Sequence, residues 1–263
     1  MARSKALVDL LNLTNQEGLP IEKQFLSDLK HSIEKEDQKN SRKPSQTYKP
    51  SSMHCIRNMY YQAIGAEATS ESVGCELIGI CESGSDRHER LQRAVQAMKD
   101  NNIDCEYCDV AEYVTEHNLT DIDIISKQGM ETKLYHKTLN MSFLCDGIIK
   151  YKGKYYILEI KTETQNKFWD RQGVNPDHVL QGTAYSLAFG INQVLFLYEC
   201  RDNCSKKTFM LDVTDEMREN LKKKIFDCMQ YVDSQSVPPK PIDLSKKACA
   251  YCGYAERCKS DGN

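Results

Sequence analysis

The segment Ser142–Lys161, SFLCDGIIKYKGKYYILEIK, is two apolar, β-branched and aromatic runs around Lys152-Gly153. A two-residue loop with glycine second marks a β-hairpin, because such turns need positive φ. With Lys152 and Gly153 in the loop, Tyr151 faces Lys154 and Asp146 lands opposite Glu159. Lys161, two residues beyond Glu159, projects from the same face. Two carboxylates with Cβ atoms about 5 Å apart repel each other and weaken the sheet. A divalent cation removes the repulsion and makes the pair a binding site. A lysine beside it can stabilise the negative charge that develops when a phosphate is attacked. The plainer reading of D-x(12)-E-x-K is an exposed hairpin with scattered charges.

At 263 residues the chain can bury a substantial core as one domain with a small appendage. A net charge of −3 excludes a global polycation, so a nucleic-acid surface must be a local patch. The apolar run from Ala6 is broken by Asp9 and does not read as a secretory signal. No stretch reaches the length of a membrane span. The expected location is therefore the cytoplasm, or the host cytoplasm for a viral protein. Thiols there stay reduced, so 12 cysteines point to metal ligation rather than disulfides. No G-x-x-x-x-G-K-[ST] phosphate loop occurs, so the chain is not its own ATP-driven motor.

Ile21, Phe25, Leu29 and Ile33 recur every fourth residue within an expected helix from about Leu7 to Glu36. Asp37 to Ser52 turns to Lys, Ser, Gln, Asn and Pro and reads as a linker or loop, with the compact domain beginning near Ser51. Ser85 to Asp100 reads as a helix with Leu91, Val95 and Met98 on one face. Strands and loops are expected over 103–150. Asn175-Pro176 is an N-cap and N1 pair for a helix running to Gly190. Val194 to Tyr198 is a short strand and Thr214 to Val232 a late helix. Pro238, Pro239 and Pro241 then set off a cysteine-rich tail. The mixed order of strands and helices indicates an α/β or α+β sandwich.

In that tail Cys249, Cys252 and Cys258 have C-x2-C-x5-C spacing. Three thiolates so close signal a metal but leave a tetrahedral site one ligand short. Cys55 is one candidate for the fourth, and would close most of the chain into one loop. The pair Cys105-x2-Cys108, combined with Cys249 and Cys252, would instead resemble a zinc ribbon. The remaining cysteines, Cys75, Cys81, Cys145, Cys200, Cys204 and Cys228, read most simply as small buried hydrophobes.

With these residues in view the chain resembles the RecB-type branch of the PD-(D/E)XK nucleases. The likeness is strongest to the iron–sulfur members, which include the AddB nuclease domain and small CRISPR-associated exonucleases. The resemblance runs from about Ser51 to Cys258 through five motifs in the family's order. These are Ser51-Ser52-Met53-His54-Cys55 with Tyr60-Tyr61, Gly84-Ser85-Asp86-Arg87-His88, the Asp146-Gly147 and Glu159-Ile160-Lys161 pair, Gln181-Gly182-Thr183-Ala184-Tyr185, and the closing cysteines. Ile56 follows Cys55 where many relatives carry proline.

The resemblance implies a central mixed sheet flanked by helices, the restriction-endonuclease-like α/β core, over 51–263. A cysteine-ligated cluster region closes it, and residues 1–50 form a helical extension and linker. His88, Asp146, Glu159 and the Ile160 carbonyl would hold Mg²⁺ or Mn²⁺, the imidazole making manganese comfortable. Lys161 would act on the phosphate, and Gln181 and Tyr185, one turn apart, would touch the DNA backbone or Lys161. Taken alone His88 reads as a cap or surface residue. Glu131 would stand behind the metal ligands. Cys55, Cys249, Cys252 and Cys258 would bind a 4Fe-4S cluster. Trp169, with Phe168, Lys167 and Arg171, suits stacking on single-stranded nucleic acid, although packing on the hairpin explains it equally well.

The expected activity is metal-dependent cleavage of DNA by a 5′→3′ exonuclease on single strands or ends. Its setting would be recombination, repair, phage DNA metabolism or CRISPR adaptation, beside a helicase, recombinase or adaptation partner. A non-catalytic module binding DNA ends or a partner, and a zinc-ribbon nucleic-acid-binding protein, are the alternatives.

Overall fold

The computed structural model describes residues 19–39, 44, 46–68, 74–241, 249 and 252–262, without the side chain of Gln128. The chain divides into two compact units, Met1–Lys43 with Glu71–Ser83, and Pro44–Ser70 with Gly84–Asn263.

In the first unit, helix α1 spans Ile21–Lys39. Its first residue, Ile21, is also the first of the apolar period, and residues 7–18 of the expected helix lie outside the described residues. Pro20 supplies the first acceptor, its carbonyl taking the N–H groups of Lys23 and Gln24. The every-fourth-residue stripe is not a core face, since Ile21, Phe25 and Leu29 are 77%, 66% and 44% exposed. Its polar contacts include Lys30 with Glu76 at 2.6 Å and the Cys75 N–H donating to Glu34.

The second unit is built on two sheets. Helix α2 is Ile56–Ala63, and helix α3 is Cys75–Gln96, of which the residues from Gly84 belong here. The strands are β1 (Cys105–Cys108), β2 (Ile122–Gln128), β3 (Glu131–His136), β4 (Met141–Cys145), β5 (Gly147–Tyr151), β6 (Lys154–Glu163), β7 (Gln193–Cys200) and β8 (Lys206–Asp212). One sheet has the order β1-β5-β6-β7-β8 and the other β2-β3-β4. Among the described strand pairs only β6–β7 is parallel. A parallel pair needs a crossover, here supplied by α5 (Gln165–Asp170) and α6 (Pro176–Phe189). Helix α4 (Val110–Glu116) follows β1, and α7 (Asp215–Asp233) and α8 (Ala255–Ser260) come later in the described residues. The architecture is mixed α/β with a central sheet flanked by helices.

Alternation along β6 sorts its residues between two apolar layers. Leu158 and Ile160 join Leu91, Cys105 and Ile149, with Val95 and Met98 of the α3 region against them. Ile157 lies on the other side with Ile148, Phe196 and Tyr198, under Ala184, Tyr185 and Phe189 of α6 and Leu221 and Ile225 of α7. Glu159 and Lys161 share the parity of Ile157 and therefore the α6 side.

The hairpin forms in the expected register, Tyr151 opposite Lys154, with Lys152 and Gly153 at φ 49° and 77°. Its first strand, however, is broken. Cys145 pairs with Thr132 in the three-stranded sheet, whereas Gly147 pairs with Leu158 in the five-stranded one. Asp146 is the residue at which the chain changes sheets, so it does not sit opposite Glu159 in a ladder. A period-2 pattern carries straight through such a break, because both flanking strands are apolar.

Local capping accounts for the helix ends. Asn175 accepts from the Asp177 N–H, Pro176 occupies the first turn, and Gly190 closes α6 at φ 72°. Thr214 caps α7 through the Met217 N–H. Asp109 caps α4 through Ala111 and Glu112, a helix the sequence reading left among strands and loops. Cys145, Cys200 and Cys228 are buried as expected, but Cys81 and Cys204 are exposed and Cys75 only half-buried. Cys204 sits in the turn between β7 and β8 at φ 59°.

Candidate active site

Asp146 is held on all sides. Its Oδ2 accepts the Ile160 N–H at 2.6 Å, and Oδ1 lies 3.1 Å from His88 Nδ1. Its carbonyl accepts from Gln92 Nε2 at 2.7 Å and from the Tyr107 hydroxyl. His88 is not a helix-start residue but lies well inside α3, one turn before Gln92. Burial opposes its protonation, but the neighbouring Asp146 carboxylate prevails and raises its pKa.

Glu131, at the start of β3, reaches the same place. His88, Glu131 and Asp146 offer ligand atoms that all lie within 4.8 Å of one another. Burial, reinforced by the charge of Asp146, raises the Glu131 pKa. Sequence reasoning had given Glu131 only a supporting position. Its proximity to His88 and Asp146 depends on β3 and α3 meeting at Asp146, which no local spacing reveals.

Glu159 is 2% exposed, and its Oε1 is 2.5 Å from Lys161 Nζ. Its Oε2 is buried with no hydrogen-bond partner. Burial, and then the Asp146 carboxylate, push its pKa up, with Lys161 opposing. For Lys161, burial disfavours the charge, but Glu159 and Asp146 outweigh it and keep the ammonium protonated. A buried carboxylate oxygen without a donor is costly unless a cation meets it. With imidazole and carboxylate donors converging next to it, the residues present fit a divalent ion. The Ile160 side chain is fully buried in the opposite layer.

Lys161 Nζ also donates to Gln181 Oε1 at 3.0 Å, Gln181 Nε2 to the Tyr185 hydroxyl at 2.9 Å, and that hydroxyl to the Leu144 carbonyl at 2.8 Å. Tyr185 is 3% exposed. It anchors Gln181, and through it Lys161, to the end of β4. One turn before Gln181, His178 Nδ1 lies 3.0 Å from the Tyr198 hydroxyl, which also accepts the Asn175 N–H. Burial, with the charges of Lys161 and Arg171, lowers the His178 pKa to about 3.

The two aromatics of α5 separate. Phe168 is buried, while Trp169 is 51% exposed, with Lys207 Nζ 5.0 Å and 5.5 Å from their ring centroids. Packing accounts for Phe168 and leaves Trp169 presented to solvent. Arg171 is engaged by both oxygens of Glu163, at 2.6 Å and 2.5 Å.

A second constellation brings residues from His54 to Tyr61 beside residues from Lys240 to Lys259. Cys55, Cys249, Cys252 and Cys258 line one cavity of about 340 Å³ with Arg57, Asn58 and Tyr61. The buried Arg57 donates to the Pro238 carbonyl at 2.8 Å, to the Cys258 carbonyl at 3.0 Å and to Cys258 Sγ at 3.3 Å. Asn58 Nδ2 is 3.5 Å from Cys252 Sγ. Burial raises the Cys55 thiol pKa, and Cys252 and Cys258 add to this. Four thiols thus share one cavity, with N–H groups of Arg57 and Asn58 directed at the sulfurs of Cys258 and Cys252. Cys105 and Cys108 do not line it. They sit on β1, where Cys105 packs against Leu91 and Ile149.

No family model matches the sequence, and no curated protein is similar to it. Among solved structures, SSO0001 is 14% identical with a TM-score of 0.46, over 90% of this chain and 98% of that one. The alkaline exonuclease LHK-Exo from Laribacter hongkongensis is 10% identical with a TM-score of 0.43, over 73% and 90%. The same enzyme in complex with dAMP gives 10% and 0.42 over 72% and 89%. These are remote likenesses. Among the described residues no helix is long and apolar enough to cross a membrane.

Proposed function

We propose that this protein is a divalent-metal-dependent DNA nuclease acting on single strands or ends, with 5′→3′ exonuclease polarity. The observation that carries the reading is the convergence of His88, Glu131 and Asp146 beside the unpartnered Glu159 oxygen and the Lys161 ammonium. His88, Asp146 and Glu159, with the Ile160 carbonyl and with Glu131 added, are the residues that would hold Mg²⁺ or Mn²⁺. When bound, such an ion supplies Lewis-acid activation of a phosphodiester and of water. Lys161, kept charged and aimed by Gln181 and Tyr185, stabilises negative charge on the phosphate under attack. Trp169 offers a face on which an unpaired base can stack.

In the same reading Cys55, Cys249, Cys252 and Cys258 bind a 4Fe-4S cluster that joins α2 to the C-terminal tail as a structural clamp. Recombination, repair, phage DNA metabolism or CRISPR adaptation is the setting, with a helicase, recombinase or adaptation complex as partner.

The test is end-labelled single- and double-stranded DNA incubated with Mg²⁺ or Mn²⁺, comparing the protein with Asp146→Asn. Metal-dependent degradation from one end, abolished in Asp146→Asn, is expected. Equal cleavage by both proteins refutes the nuclease assignment. Iron and sulfide analysis of anaerobically purified protein tests the cluster, and stoichiometric zinc without sulfide overturns it.

A further inference from the structure

Asp146 lies in neither a helix nor a strand, at the one-residue passage between two sheets. A residue at such a passage has no ladder to define its backbone, so something else must set the direction of its carboxylate. Two side chains converge on its carbonyl. Gln92 is 1% exposed and donates at 2.7 Å. Tyr107 donates from β1, which pairs with β5 on its far side from β6. Both acceptor positions of the carbonyl are thereby occupied. Because Gln92 follows His88 by four residues, one face of α3 supplies a contact to the Asp146 carboxylate and another to its carbonyl.

Gly147 completes the arrangement. A Cβ at this position would stand 2.7 Å from Tyr107 Cε2 and 2.8 Å from its hydroxyl oxygen. The Tyr107 ring thus lies flush against the backbone of residue 147, and only glycine admits it. This gives the Asp-Gly pair a physical reason independent of any turn, since the glycine makes room for the tyrosine that fixes the preceding aspartate.

We propose that Tyr107 and Gln92 are positioning residues for the metal site, clamping the Asp146 carbonyl so that its carboxylate meets the cation, with Gly147 the space the clamp requires. The inference rests on the metal reading of the site given above. Neither side chain touches the cation. Their effect runs through the orientation of one ligand, for which losses of about 10–100-fold in metal affinity are typical.

The experiment is Mn²⁺ titration of the full chain, followed by the free-ion paramagnetic resonance signal, for wild type, Tyr107→Phe, Gln92→Met and Gly147→Ala. Tyr107→Phe keeps the ring and its packing and leaves the Gln92 bond in place. Its Kd for Mn²⁺ should rise about tenfold with an unchanged Tm. Gln92→Met should act in the same direction. In a Gly147→Ala background the Tyr107→Phe change should add nothing further, because the hydroxyl has already been displaced. Wild-type affinity in Tyr107→Phe overturns the clamp while leaving the metal site standing. Absence of Mn²⁺ binding by the wild-type protein overturns the metal reading and the clamp with it. If Gly147→Ala does not fold, the Tyr107→Phe and Gln92→Met titrations still decide.

Discussion

Replacing Glu199 with glutamine removes the one charge that ties α3 to the end of β7. Glu199 is fully buried, and its Oε1 accepts from Arg87 Nη1 at 3.1 Å and Arg90 Nη2 at 2.5 Å. Lys206 Nζ stands 3.4 Å from Oε2 without hydrogen-bond geometry. Burial works against ionisation, but Arg90 and Arg87 outweigh it and hold the carboxyl below its ordinary pKa. Glutamine keeps the shape and an acceptor, so the loss is the charge assistance in two hydrogen bonds, about 1 kcal/mol each. The Arg90 and Lys206 side chains are 45% and 46% exposed and recover solvation, whereas Arg87, at 23%, recovers less. A cost of about 2 kcal/mol follows, or a Tm lower by about 4–8 °C for a unit of this size. Glu199→Ala leaves the cations facing a void and should cost about 3–5 kcal/mol. A carboxyl with a depressed folded pKa stabilises above its unfolded pKa, and that contribution is lost as the pH falls through the folded value. The gap between wild type and Glu199→Gln should therefore close in acid. Because Arg87 adjoins His88, Mn²⁺ affinity should fall as well. Urea unfolding followed by circular dichroism at several pH values measures the stability terms. A Glu199→Gln protein as stable as wild type at neutral pH would refute the argument.

Three further outcomes are expected. Lys161→Ala should retain Mn²⁺ binding yet lose about 10²–10³-fold in single-turnover DNA cleavage, since its charge acts on the phosphate under attack. His178, with a folded pKa lowered to about 3, stays neutral while the unfolded chain takes up a proton. Stability should therefore fall as the pH drops below about 6.5, by up to about 1.4 kcal/mol per pH unit, and His178→Gln should flatten that part of the pH profile. Trp169→Ala should weaken single-stranded DNA binding by about 1–3 kcal/mol while changing stability by less than about 0.5 kcal/mol, as separate fluorescence-anisotropy and thermal-unfolding measurements would show.

The features legible in the sequence are those whose cause lies within a few residues. Lys152-Gly153 needs positive φ, and it set the β5–β6 register correctly. Asn175-Pro176, Gly190 and Thr214 carry their capping chemistry in their own side chains and backbones, and the helices begin or end there. Parity along β6 put Glu159 and Lys161 on one face before any tertiary contact was known. The period-4 stripe of α1 was equally visible, yet Ile21, Phe25 and Leu29 in it are exposed, because periodicity describes a face and says nothing of what covers it.

Other features depend on where separate elements meet, and only the tertiary structure decides those. An apolar strand pattern is the same whether its two halves pair with one sheet or two, so the passage at Asp146 was invisible. Glu131 comes within reach of His88 and Asp146 only because β3 begins beside α3. Tyr185 matches a motif spaced for a contact surface but is buried, its hydroxyl spent on the Leu144 carbonyl. The sequence already favours Cys55 over the Cys105–Cys108 pair as partner of the tail cysteines, since that pair reads as strand and leaves Cys258 unused. In the fold Arg57 reaches the carbonyls of Pro238 and Cys258, and the cavity gathers Cys55 rather than Cys105 and Cys108. Turn and cap energies are local and can be read from neighbouring residues. The meeting of side chains 50 or more residues apart is set by how whole faces pack, which the order of residues along the chain does not state.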